Sequence, residues 1–335
     1  MKIDIHTHIL PKSLPNLENK FGYSGWVTLE HHNSTSAKII KDDECFRIVD
    51  CNCFNPMIRI NECNDSNLDI QVLSTIPIMF NYWAKPEHTL YMSEILNDHI
   101  SNVVQTYPER FIGLGTIPMQ DSNLAIRELE RCIDELKLKG IQIGTNINHK
   151  NLSNPQFFPI FEAAQDLGAS IFVHPWDMIG NKQMTQYWLP WLVGMPAETS
   201  RAICSMIFGG VFERLPALRV AFAHGGGSFP ATIGRIQHGY KVRPDLCAID
   251  NKIDPIKYLG RFWVDSLVHD EKMLKYLIDI LGNDKIALGT DYPFQLGELN
   301  PGKLIESSDI EISVKEKLLY KNALDWLGLP QDYFA

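Results

Sequence analysis

The sequence predicts an α/β protein, a (β/α)8 barrel of the TIM type with a small antiparallel β insertion after its first strand. Three observations predict it. Eight short apolar runs rich in β-branched residues recur along the 335 residues, at 2–5, 70–75, 111–117, 140–143, 170–173, 219–223, 261–265 and 285–288. Apolar residues at three- and four-residue spacing fill segments between and after them, which predicts helices at 90–107, 122–138, 157–167, 198–208, 272–281 and 314–327. Strands alternating with helices build a parallel sheet, and eight such units close it into a barrel. The third observation is an abnormal gap: about 60 residues separate the first two runs, where a connection normally takes about 2–6.

That gap carries WVTLEHH at 26–32, AKIIKDD at 37–43 and CFRIVD at 45–50. The alternation and the Asp-Asp turn read as a small antiparallel sheet. The expected organisation is one barrel domain over 1–335, with the inserted sheet at about 14–50. An insertion after the first strand sits beside the carboxyl ends of the strands, where a barrel keeps its working groups. Ser122 is placed to cap its helix, and Gly168 and Gly282 stand where helices end.

Composition narrows the function. Hydrophobic residues make up 45% and charged residues 21%, an ordinary globular balance. The net charge of −9 argues against a nucleic-acid binder, so an anionic ligand must be held by local cations. The start MKIDIHTH lacks the apolar core of a secretory leader, and no apolar run is long enough to span a membrane. Three Asn-x-Ser/Thr triplets, at Asn33, Asn64 and Asn151, are then chance matches. Seven cysteines without a CxxC pair read as reduced thiols in a cytoplasmic protein; a metal cluster around Cys51, Cys53 and Cys63 is the weaker alternative.

Five residues carry the chemistry. His6 and His8 lie two apart at the end of the first run, so a strand aims both imidazoles to one side. His174 ends the fifth run in FVHPWD, His224 the sixth in AHGGG, and Asp291 follows the eighth in GTDYPF. Each has a plainer reading alone: paired polar residues at a barrel mouth, a histidine bonded to backbone, a helix cap. The HGGG string also resembles an oxyanion hole, but the GxSxG elbow such a hydrolase needs is missing. Together, at the ends of four strands, the five point to a metal. Imidazoles and one carboxylate with an open position suit Zn²⁺, although cobalt or iron accept the same donors. The fourth run, GIQIGT, has no lysine to bridge a second ion, so one metal is expected.

This constellation resembles the amidohydrolase superfamily, and the strings KIDIHTHILP, HPWDM, YWLPWLVGMPAET, AHGGGSFP, GRIQHG and GTDYPFQLGE resemble its non-oxidative decarboxylases over nearly the whole chain. The resemblance implies a zinc enzyme that removes CO₂ from an aminocarboxymuconate semialdehyde in the kynurenine branch of tryptophan catabolism. It implies His6, His8, His174 and Asp291 as ligands of one Zn²⁺ per subunit and His224 as the catalytic base. It implies Arg47 and Arg235 as the residues holding substrate carboxylates, with Arg235 coming from the other subunit of a homodimer. Lys41, Trp191 and Phe294 are further candidates for the pocket wall. A hydrolase of the same superfamily, a hydroxybenzoate decarboxylase and a zinc-binding scaffold without turnover are the alternatives.

Overall fold

The computed structural model describes residues 1–334. Among the described residues thirteen strands form, numbered in chain order. β1 is Ile3–His8; β2 (Thr28–His31), β3 (Ser36–Lys41) and β4 (Glu44–Asp50) make the insertion; β5 is Ile70–Ser74, β6 Phe111–Gly115 and β7 Gly140–Gly144. A two-stranded ribbon, β8 (Asn146–Ile147) and β9 (Lys150–Asn151), precedes β10 (Ser170–His174), β11 (Arg219–Phe222), β12 (Trp263–Asp265) and β13 (Ile286–Ala287). Eight of them pair in the order β1-β5-β6-β7-β10-β11-β12-β13, and every pairing in this sheet is parallel. The ends meet: the Ile5 amide donates to Leu288 O (2.8 Å), and the His8 amide to Tyr292 O (2.8 Å). The sheet is thus the expected (β/α)8 barrel.

The strands are buried on both faces, as a parallel barrel under a ring of helices requires. One core lies between strands and helices. A second fills the amino-terminal half of the barrel, where Ile3, Ile5, Val72, Leu114, Phe172 and Ala221 meet Trp326 of the helix Asn322–Leu327. Each fully buried Ile, Val, Leu or Phe side chain among them stabilises the fold by roughly 1.5–3 kcal/mol. This plug leaves the carboxyl ends of the strands as the open face.

The insertion forms an antiparallel three-stranded sheet in the order β2-β3-β4. Asp42 and Asp43 turn β3 into β4 with φ of 51° and 61°, the left-handed pair that a tight hairpin needs. Trp26, Ala37, Ile39 and Val49 seat this sheet on Leu10, Ile76, Ile78 and Met79 above the barrel rim. The hydrophobic face therefore fixes the insertion over the open end.

Local details differ from the expectations. Asp121, not Ser122, caps the helix that follows β6: its carboxylate accepts from the Leu124 amide at 2.9 Å, and Ser122 instead donates to Gln156 O at 2.6 Å. The helix expected at 122–138 is α-helical over Ser122–Glu130 and widens to a π turn over Arg131–Glu135. Two further helices, Pro56–Asp65 and Phe229–Val242, occupy segments where no helix was expected. The second contains Gly234 and Gly239, which lower helix propensity and hide it.

All seven cysteines carry free thiols. Cys45 is exposed, whereas Cys53 and Cys132 are fully buried and burial pushes the Cys53 thiol up to about 12. A disulfide reagent added to the native protein is expected to modify Cys45 in a fast phase and these two only on unfolding. Rapid loss of all seven thiols would contradict the packing. Among the described residues no helix is long and apolar enough to cross a membrane.

Candidate active site

Four donors converge at the carboxyl ends of β1 and β10 and just past β13. One ligand atom from each of His6, His8, His174 and Asp291 lies within 4.8 Å of the others. His8 Nε2 is 3.0 Å and His6 Nε2 3.4 Å from Asp291 Oδ1. The strand geometry explains the histidine pair: alternate residues of β1 face the same way, and the Asp291 amide donates to His6 O (2.9 Å), tying the segment after β13 to β1.

The outer nitrogens decide what the inner ones can do. His8 Nδ1 donates to Thr75 O (2.9 Å) and His174 Nδ1 to Pro175 O (3.0 Å). A carbonyl only accepts, so each Nδ1 carries a proton and each neutral ring turns its Nε2 lone pair inward. His6 Nδ1 lies 2.7 Å from Asp265 Oδ2, the carboxylate–histidine pair that orients a metal ligand. All three Nε2 atoms are buried without a hydrogen-bond partner. Burial holds the His8 and His174 imidazoles below the ordinary histidine range, which keeps them neutral. Burial alone would push Asp291 up, but the surrounding imidazoles of His6, His224 and His8 hold its carboxyl well below the usual carboxylate range. Three lone pairs and one carboxylate aimed at a common point fit a divalent cation and little else.

His224 stands beside this group. Its ring centroid is 5.2 Å from that of His6 and 5.1 Å from that of His174, and its Nε2 is 3.9 Å from Asp291 Oδ2. Its Nδ1 has no partner. Burial lowers its proton affinity, but Asp291 and Asp265 outweigh this and hold the imidazole above the ordinary histidine range. The backbone here is bent: His224 has φ 57°, and its amide and that of Gly225 donate to Asp265 at 2.9 and 2.8 Å. The glycines of HGGG serve packing. A Cβ on Gly227 would lie 2.3 Å from Pro196 O, so only glycine lets the 195–208 helix approach.

A cavity of about 480 Å³ opens above the donors, lined by His8, His174 and Asp291 below and by Arg47, Trp191 and Phe294 on its walls. Arg47 reaches it from β4. There a bulge sets Cys45 opposite Ile40 but Arg47 opposite Ile39, leaving Phe46 unpaired, so neighbours Phe46 and Arg47 both line the cavity. The Arg47 guanidinium carbon lies 4.6 Å from the Phe294 ring centroid and 5.8 Å from that of Trp191. Among the described residues it has no carboxylate partner within salt-bridge distance. Lys41 does not line this cavity; its ammonium lies 5.9 Å from the Trp83 ring centroid. Arg235 is exposed on the Phe229–Val242 helix and also lies outside the cavity.

The site includes residues that the motif reading passed over. Asp265 ends β12 as His174 ends β10, and its place at a strand terminus was the available signal. Trp176, Trp188 and Met195 add to the wall from the connection after β10. Asp265→Asn is expected to weaken divalent-metal binding about 10- to 100-fold, measured by competition with a chromogenic chelator. Unchanged affinity would show that its bond to His6 does not orient the ligand.

A closed eight-stranded barrel with three histidines and a carboxylate gathered at the strands' carboxyl ends is the architecture of a metal-dependent barrel enzyme. The amidohydrolase family model matches residues 3–329, and the chain belongs to that family. It is 61% identical to 2-amino-3-carboxymuconate-6-semialdehyde decarboxylase of Dictyostelium discoideum, over 99% of this chain and 93% of that protein. It is 38% identical to the enzyme of the same name from Caenorhabditis elegans, over 99% and 95% respectively. Among solved structures, a dihydroxybenzoic acid decarboxylase from Polaromonas, determined with bound manganese and the inhibitor 2-nitroresorcinol, superimposes with a TM-score of 0.78 at 20% identity, covering 98% of this chain and 96% of that one.

Proposed function

We propose that this chain is a zinc-dependent, non-oxidative decarboxylase that converts 2-amino-3-carboxymuconate-6-semialdehyde to 2-aminomuconate-6-semialdehyde and CO₂. The step belongs to the kynurenine pathway of tryptophan catabolism and limits flow toward quinolinate and NAD. The observation that carries this reading is one cavity that joins His8, His174 and Asp291 of the four-donor group to the unpaired Arg47 guanidinium. The likeness to two decarboxylases of that name over nearly the full chain supplies the substrate.

His6, His8, His174 and Asp291 would hold one Zn²⁺ per subunit; manganese, bound in the Polaromonas enzyme, suits the same nitrogen and oxygen donors. Zinc supplies a Lewis acid and lowers the pKa of water toward neutrality. The chain's own residues do the rest. Arg47 grips a substrate carboxylate through paired N–H donors, a planar contact that lysine does not make. Phe46, Trp191 and Phe294 flank it, exclude water and flatten the conjugated substrate against the wall. His224 takes a proton from water, the hydroxide adds to the amino-bearing carbon, and His224 passes its proton to the neighbouring carbon that bears the departing carboxylate. As CO₂ leaves, the electron pair of the C–C bond re-forms the double bond and expels the hydroxide, which takes a proton from solvent, so no water is consumed. The re-formed conjugated enamine receives the electron pair of the broken C–C bond, and no other electron sink is needed.

The second carboxylate needs a second cation. Arg47 is the one arginine lining the cavity among the described residues, and exposed Arg235 is free to enter a neighbouring subunit's site. The enzyme would then be a homodimer. Exposed Val242, Leu246 and Ile249 follow Arg235 along the chain and supply apolar surface for such an interface. The seven free thiols support a cytoplasmic setting. The test is to incubate the zinc-loaded protein with freshly generated substrate and to measure CO₂ and product mass. One CO₂ per substrate consumed supports the reading; stoichiometric zinc with no CO₂ release overturns it.

A further inference from the structure

Arg59 lies on the Pro56–Asp65 helix and is fully buried behind the metal donors. Its guanidinium donates from Nη2 to His8 O and from Nη1 to Gln71 Oε1 at 3.2 Å. Its carbon sits 4.6 Å from the ring centroid of Tyr292, the residue after Asp291. Its Nε has no hydrogen-bond partner. Among the described residues no carboxylate neutralises it within salt-bridge distance. Burying a cation without an ion partner is costly, and an apolar side chain would pack the same space more cheaply. The fold keeps it where the His8 end of β1 meets the segment that follows β13.

Those segments are laced together on both sides of Asp291. Before it, Thr290 donates its amide (3.1 Å) and hydroxyl (2.5 Å) to the Asp4 carboxyl, which also accepts from the His6 amide at 3.1 Å. After it, the His8 amide donates to Tyr292 O at 2.8 Å. The Tyr292 ring is then held between the Arg59 guanidinium on its face and Glu62, which accepts from the Tyr292 hydroxyl and from Asn52 Nδ2 (3.0 Å). Arg59 therefore grips the peptide of one donor residue and the side chain next to another.

We propose that Arg59 is a positioning residue for the metal site, fixing the spacing between His8 and Asp291 through the His8 carbonyl and the Tyr292 ring. Planarity matters for this role. A guanidinium stacks on a ring and bonds in its own plane together, which an ammonium cannot do. The inference rests on the metal-site reading above.

The test uses the full-length protein loaded with Zn²⁺ or Co²⁺. For wild type, Arg59→Lys and Arg59→Met, three quantities are read: zinc affinity by chelator competition, the visible absorption of the cobalt form, and the melting temperature. Arg59→Met is expected to weaken zinc binding about 10- to 100-fold and to shift the cobalt bands, as loss of support behind a ligand does elsewhere. Arg59→Lys is expected to recover part of the affinity by reaching His8 O without stacking. Should the methionine variant fail to fold, Tyr292→Leu removes the stacked ring and its bond to Glu62 while keeping Arg59, and is expected to shift the same cobalt bands, whereas Tyr292→Phe keeps the ring and is expected to leave them in place. Variants with a lowered melting temperature but unchanged affinity and spectrum would overturn the proposal, leaving Arg59 a packing residue. A wild-type chain that binds no stoichiometric metal would instead sink the metal-site reading itself, and this inference with it.

Discussion

His224→Ala is expected to keep its full metal content and to lose about 10²- to 10⁴-fold in kcat, the usual contribution of a positioned general base. The geometry separates this histidine from the others. The four donors lie within 4.8 Å of one another without it, and its Nε2 stays 3.9 Å from the carboxylate they share. The three histidines among the four proposed ligands each commit Nδ1 to a fixed acceptor, which makes Nε2 a lone pair. His224 Nδ1 is uncommitted, so its ring is free to exchange a proton. Asp265 holds its backbone and not its ring. Metal analysis and kinetics on one preparation check this. Loss of metal together with rate would place His224 among the ligands, and a variant that kept its rate would remove it from the chemistry.

Arg47→Ala is expected to lower kcat/KM by roughly 10² or more, since stripping one partner from a buried charged pair costs about 2–5 kcal/mol. The guanidinium is free to bind because its neighbours are Phe46, Trp191 and Phe294 rather than acids. Arg235→Ala is expected to lose activity comparably, with unchanged metal content, although this side chain is exposed and outside its own cavity. Subunit exchange separates a shared site from two independent ones. In a dimer of Arg47→Ala with Arg235→Ala, one site keeps its own Arg47 and receives an intact Arg235. With random mixing, about a quarter of the wild-type activity is expected to return. No recovery on mixing would contradict a site shared across the interface.

The candidate metal donors were legible in the sequence because each one sits at or just past the end of a strand. A barrel gathers those ends on one face, so HTH, FVHP and GTDY converge once the strands are placed. The inserted sheet was legible for a similar reason: alternation and an Asp-Asp turn are local signals, and both survive in the structure. Asp265 also ends a strand, but a lone acid there reads equally as a solvated turn, and only its bond to His6 reveals its role. Arg59 was hidden because PMIRINECND has no apolar period marking its arginine as inward-facing. The helix bearing Arg235 was masked by its two glycines. Lys41 shows the opposite failure. It lies at the end of β3, whereas the residues of the inserted sheet that line the cavity, Phe46 to Asp50, lie on β4, and it approaches Trp83. Wall residues such as Trp176 and Trp188 depend on how a long connection folds over the rim, which no periodicity encodes.

The absorbance decay of freshly generated 2-amino-3-carboxymuconate-6-semialdehyde is to be followed with the protein untreated, stripped by a chelator, and reloaded with Zn²⁺. Decay well above the spontaneous rate, lost on stripping and restored by one equivalent of zinc per chain, is the result expected from His6, His8, His174 and Asp291 holding a catalytic ion. Decay that persists in a fully metal-free preparation would contradict it.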